Sequence, residues 1–298
     1  MNRNKILFES FNKAINEYFE RHEKENEKKA EQLAKSSSQA ELANFIAQTV
    51  NQVQDVAREW ENTPNPDLDQ KTPKEYIEGI NDFDTLMEAF KIGAKTVDVD
   101  LPYTFLEKLK SFSQRAMDAL LELASDPSML QMDSEDAAIP LAAISALGMW
   151  KTEEAVQSLI ELMAKSDPNY ELLFETVSNT LIEIGTPSIE PLVRKLEAAE
   201  TYGIIEEYLF STLSKAGATN KSDRVYKCLK SAFSKLENKA LGALFLAEYG
   251  DGRAIPALRG YVEKNVSALN REIFYDIKYA IERLGGSMED IKFDYRGR

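Results

Sequence analysis

The sequence predicts an all-helical protein: an N-terminal helical domain over residues 1–100, then over 101–298 an α-solenoid array of about five stacked helix pairs. Three observations predict it. Glycine and proline are scarce, 13 and 10 among 298 residues, and sit where helices are expected to end. Alternation of β-branched residues, the mark of strands, is nearly absent. Apolar runs close repeatedly on a glycine, and Gly148, Gly185, Gly217, Gly250 and Gly285 stand 37, 32, 33 and 35 residues apart. A near-constant period of that size marks an array in which each unit stacks on its neighbours.

The elements follow in order. Ile6, Phe8, Phe11, Ile15, Tyr18 and Phe19 fall largely on one face of a first helix. That stripe is suited to packing on its own chain, on a partner helix or on a second copy. The charged stretch Arg21 to Lys35 reads as an exposed helix end or a flexible linker. Ser38-Gln39-Ala40-Glu41 has the form of a capping box. Behind it Leu42, Phe45, Ile46, Thr49, Val53, Val56 and Trp60 recur at spacings of three and four, a second long amphipathic helix. Trp60-Glu61-Asn62-Thr63-Pro64-Asn65-Pro66-Asp67-Leu68 is a rigid turn. In Thr72-Pro73-Lys74-Glu75, threonine caps, proline takes the first helical position and glutamate closes the box. Two shorter helices are expected next, Asp84 to Ile92 stopping at Gly93, and Pro102 to Phe112.

In the array, each glycine is expected to supply the left-handed turn that ends a first helix. A second helix with its own apolar rhythm follows four of them: Ala155, Leu159 and Met163; Ile189, Leu192, Val193 and Leu196; Val225, Leu229 and Phe233; Ile255, Leu258 and Val262. Arg115 to Leu123 echoes Glu154 to Leu162, which moves the first unit back to about residue 102. Asp290 to Arg298 reads as a tail or partial cap.

Gly250-Asp251-Gly252-Arg253-Ala254-Ile255-Pro256-Ala257-Leu258 resembles the Gly-Asp-x-Arg-Ala-Ile-Pro-x-Leu core of HEAT-like repeats, especially those called PBS-lyase HEAT-like. The resemblance covers 102–290 loosely and implies stacked HEAT-like helix pairs, with Asp251 and Arg253 bridging neighbouring loops. Gly185-Thr186-Pro187-Ser188-Ile189-Glu190-Pro191-Leu192 is a weaker echo that lacks the acid and base. The Trp60 to Leu68 segment with Thr72-Pro73 resembles a short pattern in the toxin-binding domain of Xre/MbcA-like antitoxins. It covers about fifteen residues, has Gln70 where that pattern carries glycine, and lacks an adjacent helix-turn-helix.

Composition and motifs exclude more chemistry than they suggest. The formal charge of −14 disfavours nucleic acid and anionic membrane as partners of the whole chain. It is unevenly spread: net −7 over 1–100, −10 over 101–200 and +3 over 201–298. Cys228 is the lone cysteine, so no intramolecular disulfide or multi-cysteine zinc site is available, and a reducing, cytoplasmic setting is expected. No apolar run approaches a membrane span, which takes roughly 18 residues. His22 is the lone histidine, so neither a His-Glu-x-x-His site nor a histidine-based nucleophile system is supported, and a solvated role is expected for it. Cys228 sits on an apolar helix face beside Val225 and Leu229. Gly250-Asp251-Gly252 lacks the later glycine and lysine of a phosphate loop. Acidic pairs such as Asp98 with Asp100 do not meet calcium-loop spacing.

No catalytic residue, cofactor or metal site is therefore expected, and the chain reads as a non-enzymatic scaffold binding a protein or peptide. The expected surface is a concave groove lined by second helices, with Gln157, Glu161, Arg194, Lys227, Lys230 and Arg259 facing it and the last four forming a basic strip. One alternative is nucleic-acid binding by Lys221, Arg224, Lys227, Lys230, Lys235 and Lys239, which would resemble the HEAT-like alkylpurine DNA glycosylases. The phycobilin-lyase resemblance implies another, an enzyme acting on a bound chromophore.

Overall fold

A computed structural model describes residues 2–36, 39–131 and 133–293. Among the described residues the protein is all-α, with fifteen helices and no strand. Its internal contacts divide it into two compact units, Met1–Ala143 and Ile144–Arg298. The boundary read from the sequence at 100/101 lies within the first unit.

The first unit contains α1 (Arg3–Ser36), α2 (Gln39–Asn62), a 3-10 turn (Pro66–Leu68), α3 (Pro73–Glu78), α4 (Phe83–Ala94), α5 (Tyr103–Lys110) and α6 (Gln114–Ala124). The stretch 21–35 is the exposed end of α1, the helix-end alternative and not the linker, and Glu17 pairs with Lys13 and Arg21 one turn to either side. Phe8 and Ile15 are fully buried, Phe8 lies edge-on to Phe105 at 5.2 Å, and Phe11 meets Trp60 at 4.8 Å. The stripe thus packs on its own chain. Trp60 donates its indole N–H to Ser10 Oγ at 3.0 Å, so the start of the rigid turn is tied back to α1. The Thr72/Glu75 capping box forms at 3.1 and 2.9 Å, whereas Ser38, read as the cap of α2, lies outside the described residues. Gln70 is left-handed, with φ 63°, where the antitoxin-like pattern has glycine.

Gly93 does not stop its helix, because α4 runs on to Ala94. A Cβ there would come within 2.6 Å of Leu101 and 2.8 Å of Phe8. Close packing, not termination, requires this glycine.

In the second unit, after α7 (Ala138–Met149, which straddles the division), come α8 (Ala155–Lys165), α9 (Glu171–Ile184), α10 (Thr186–Glu197), α11 (Ile204–Ala216), α12 (Asp223–Lys235), α13 (Lys239–Tyr249), α14 (Ile255–Asn265) and α15 (Arg271–Arg283). Contacts order them into two series. In one, α9 packs on α11, α11 on α13 and α13 on α15; in the other, α8 packs on α10 and α10 on α12. Pairs such as α8/α9, α10/α11, α12/α13 and α14/α15 join the series. Side chains read as the second-helix core, including Leu159, Leu192, Val193, Leu229, Leu258 and Val262, are buried. Ser222, Asn238 and Asn270 cap α12, α13 and α15 by accepting from backbone N–H groups in the first turn.

The periodic glycines have two different jobs. Gly185, Gly250 and Gly285 have positive φ of 78°, 72° and 86°; Gly250, with ψ 32°, is the left-handed helix stop expected, whereas Gly185, with ψ −126°, ends its helix in another conformation that glycine tolerates. Gly217 is right-handed, and Gly148 lies inside α7. A Cβ on Gly148 would sit 3.1 Å from Thr180 Cα, so this glycine lets α7 approach α9, and the left-handed turn passes to Lys151 at φ 53°. The described part of the tail, to residue 293, is docked: Phe293 lies 5.4 Å from Phe274 and Asp290 pairs with Arg259, next to the buried Met288.

Candidate functional site

The residues nominated from the sequence lie on α8, α10, α12 and α14. Gln157 donates to Glu161 at 3.0 Å, and Glu161 also lies 3.6 Å from Lys165. These interactions hold the Glu161 carboxyl below its usual range, the Gln157 hydrogen bond most strongly. Arg194 is near Glu190 at 3.8 Å, and Arg259 is bound to Asp290 and Glu263 and donates to Ser287. Lys227 and Lys230 are exposed on α12, with Lys227 in the field of Asp223. Several of these charges therefore face opposite charges of the same chain.

The lysine-rich set is similarly engaged. Arg224 is held by Glu190 and Glu197, both at 2.6 Å, joining α12 to α10. Lys221 donates to Gly250 O at 2.6 Å, and Lys239 donates to the carbonyls of Phe233, Ser234 and Leu236 at the end of α12. Lys235 lies over the Tyr202 ring.

Asp251 and Arg253 form a joint between loops. Asp251 is nearly buried, caps the turn by accepting from Arg253 N at 3.0 Å, and binds the Arg253 guanidinium at 2.7 Å. Arg253 reaches Asp223 at the head of α12 at 2.6 Å and stacks on Tyr226. Its hydrogen bonds hold both carboxyls below their usual range. Beside them the buried Tyr249 hydroxyl accepts from Ser222 N at 2.6 Å and donates to Ser222 O at 3.0 Å. Here the charges of Asp223, Asp251 and Arg253 are paired with one another.

The odd-numbered helices differ. Every large apolar side chain described as exposed in Ile144–Arg298 lies on them: Met149 on α7, Leu172 on α9, Ile204 on α11, Leu244 on α13, and Tyr275 and Tyr279 on α15. Leu172 is 56% and Ile204 52% exposed, a large solvent cost for residues of this kind. Between α11 and α13 an open groove of about 400 Å³ has Tyr208, Leu241, Leu244 and Phe245 as its apolar walls. Glu207, Lys215 and Glu248 stand at its rim. Glu248 is bound to Arg283, while the half-buried Glu207 carboxylate has no hydrogen bond or ion pair among the described residues. Burial pushes the Glu207 carboxyl above its usual range.

Compared with protein families, curated proteins and solved structures, the chain finds no match. Its chemistry must be judged from its own residues.

Burial pushes the Cys228 thiol up to about 12, and the side chain is enclosed on α12, as its apolar neighbours foretold. His22 is half-buried and not simply solvated: Nδ1 lies 2.8 Å from Tyr18 O and the ring is against Tyr18 at 4.5 Å. Among the described residues no group of three or more His, Cys, Asp and Glu is placed to hold a metal ion, and no helix is long and apolar enough to cross a membrane. In the first unit Leu42, Ile46 and Val50 are exposed at four-residue spacing on α2.

Sequence reasoning missed the exposed apolar side chains Leu172, Leu244 and Tyr279. A signal was available in Lys239–Tyr249, where Leu241 and Leu244 lie outside the set Ala243, Leu246 and Ala247 that fills the core.

Proposed function

We propose that this protein is a non-enzymatic scaffold whose second unit is an array of HEAT-like helix pairs that binds a protein segment on its odd-helix face. The observation that carries the reading is that, within the second unit, the exposed large apolar side chains described are confined to one helix series. Isolated exposed leucines are ordinary, but a set repeated on successive helices and gathered on one series marks an interaction surface. The helix periodicity and the packing of α8 to α11 and α13 each on the next helix but one support the array. Contacts within the odd series are more extensive than within the even series, as expected if the odd helices line the inner side of a curve.

The binding face is therefore placed on α9, α11, α13 and α15, and not on the second helices that carry Gln157 and Lys230. The nucleic-acid alternative has less support, because Arg224, Lys221, Lys239 and Lys235 already serve intramolecular contacts. The buried, unreactive Cys228 fits the cytoplasmic setting. Affinity capture from the native host with the parent chain, Leu244→Glu and Lys230→Glu tests the reading. A stoichiometric partner retained by the parent and by Lys230→Glu, and lost with Leu244→Glu, is the expected result. Equal retention by Leu244→Glu overturns it.

A further inference from the structure

We propose that the α11/α13 groove takes an amphipathic helix, which inserts apolar side chains between Tyr208 and Leu244 and sets a lysine or arginine on Glu207. This rests on the scaffold reading and specifies its partner. The shape argues first. A small-molecule site encloses most of its ligand, whereas this groove is open along its length and at the small end of ligand-pocket volumes. Its walls are two helix surfaces whose backbone N–H and C=O groups are occupied in their own helices. An extended peptide would find no edge there with which to pair, while a helix offers side chains at i, i+3, i+4 and i+7 to the apolar walls.

Charge argues for the sign of the partner. Glu207 is partly desolvated without a cation to compensate it. Adjacent Tyr208 lies in the field of Glu171 and Glu175 from α9, so the neighbourhood adds negative charge at this end. Glu248 is neutralised by Arg283. Lys215, eight residues beyond Glu207 on α11 and so about 12 Å along the helix, stands at the other end of the groove. A guanidinium or ammonium on the partner is thus favoured at the Glu207 end and repelled at the Lys215 end. Seating a cation on Glu207 would replace the solvation that burial has removed.

The test uses the full chain and two synthetic helical peptides of about 18 residues, long enough to hold several turns. Both carry one leucine stripe at i, i+3, i+4 and i+7 with glutamines around it; one has a single lysine at one end of the stripe, the other a glutamine there. Fluorescence anisotropy is expected to show the lysine peptide binding several-fold more tightly than the glutamine peptide, with the difference shrinking as salt rises. Glu207→Gln, an isosteric change at a partly exposed site, is expected to weaken the lysine peptide several-fold at an unchanged thermal midpoint. Leu244→Glu is expected to abolish its binding.

Equal affinity for the two peptides, or a lysine peptide indifferent to Glu207→Gln, overturns the charge assignment. If that equal binding is still lost with Leu244→Glu, the apolar face survives as a docking surface. Failure of the lysine peptide to bind overturns the helical occupant, and the capture experiment with Leu244→Glu then judges the scaffold reading separately.

Discussion

Gly242→Ala and Gly260→Ala are the same chemical change inside the neighbouring helices α13 and α14, and the structure assigns them opposite signs. In an open helix the exchange gains about 1 kcal/mol, because alanine loses less backbone freedom on folding. Nothing lies within 4 Å of a Cβ built on Gly260 in α14, so that gain is expected nearly whole, about 0.5–1 kcal/mol. A Cβ on Gly242 in α13 falls 2.8 Å from Phe233 Cα and 3.3 Å from its ring. A backbone atom cannot rotate away, so α12 and α13 must move apart. Overpacking of that kind costs about 1–3 kcal/mol, which offsets the propensity gain and leaves a net loss of up to about 2 kcal/mol. Urea unfolding followed by circular dichroism reads both values, with unchanged m confirming comparable transitions. Equal stabilisation by the two substitutions would show that α12 and α13 do not approach as described.

Three further outcomes follow from the same packing. Tyr249→Phe removes a hydroxyl bonded to both backbone groups of Ser222; because water can reach Ser222, the expected loss is about 1–2 kcal/mol, and an unchanged urea midpoint would refute the link. Cys228, buried and titrating near 12, should react with a thiol reagent at neutral pH only under unfolding conditions; rapid labelling of the folded chain would contradict its packing. Asp223 and Asp251 titrate below their ordinary values in the folded protein, so their stabilisation is present above the unfolded carboxylate range near about pH 4 and is lost as pH falls through the lower folded values. Arg253→Met should therefore narrow the stability gap to the parent as pH is lowered through that window, and a gap independent of pH would count against the joint.

Helix identity was legible because a 3.6-residue apolar rhythm and end signals such as Thr72-Pro73 are local. The core positions of α8, α10, α12 and α14 were legible for the same reason. Gly93 and Gly148 were misread because glycine serves both as a left-handed stop and as a point of close approach, and only the neighbouring Leu101, Phe8 and Thr180 distinguish the two uses. For 21–35 a helix end and a linker both stood open because the stretch lacks an apolar stripe; the helix is what forms, and Lys29 meets Phe45 and Gln48 of α2. The candidate face was hidden for a related reason. Leu244 and Leu246 look alike in sequence, yet one is 38% exposed and the other fully buried, and only the packing of α13 separates them. The charged side chains that sequence favoured, Arg194, Arg224 and Arg259, meet carboxylates brought near by the fold or one turn away.

Site-specific photo-crosslinking in living cells tests the central claim most directly. A photoreactive amino acid is placed singly at Leu172, Leu244 or Tyr279 on the odd-numbered helices, and at Gln157 or Lys230 on the even-numbered ones. A common adduct from the first three positions, and none from the last two, is the predicted result. The same adduct arising from Gln157 or Lys230, with none from Leu244, would contradict the placement of the binding face.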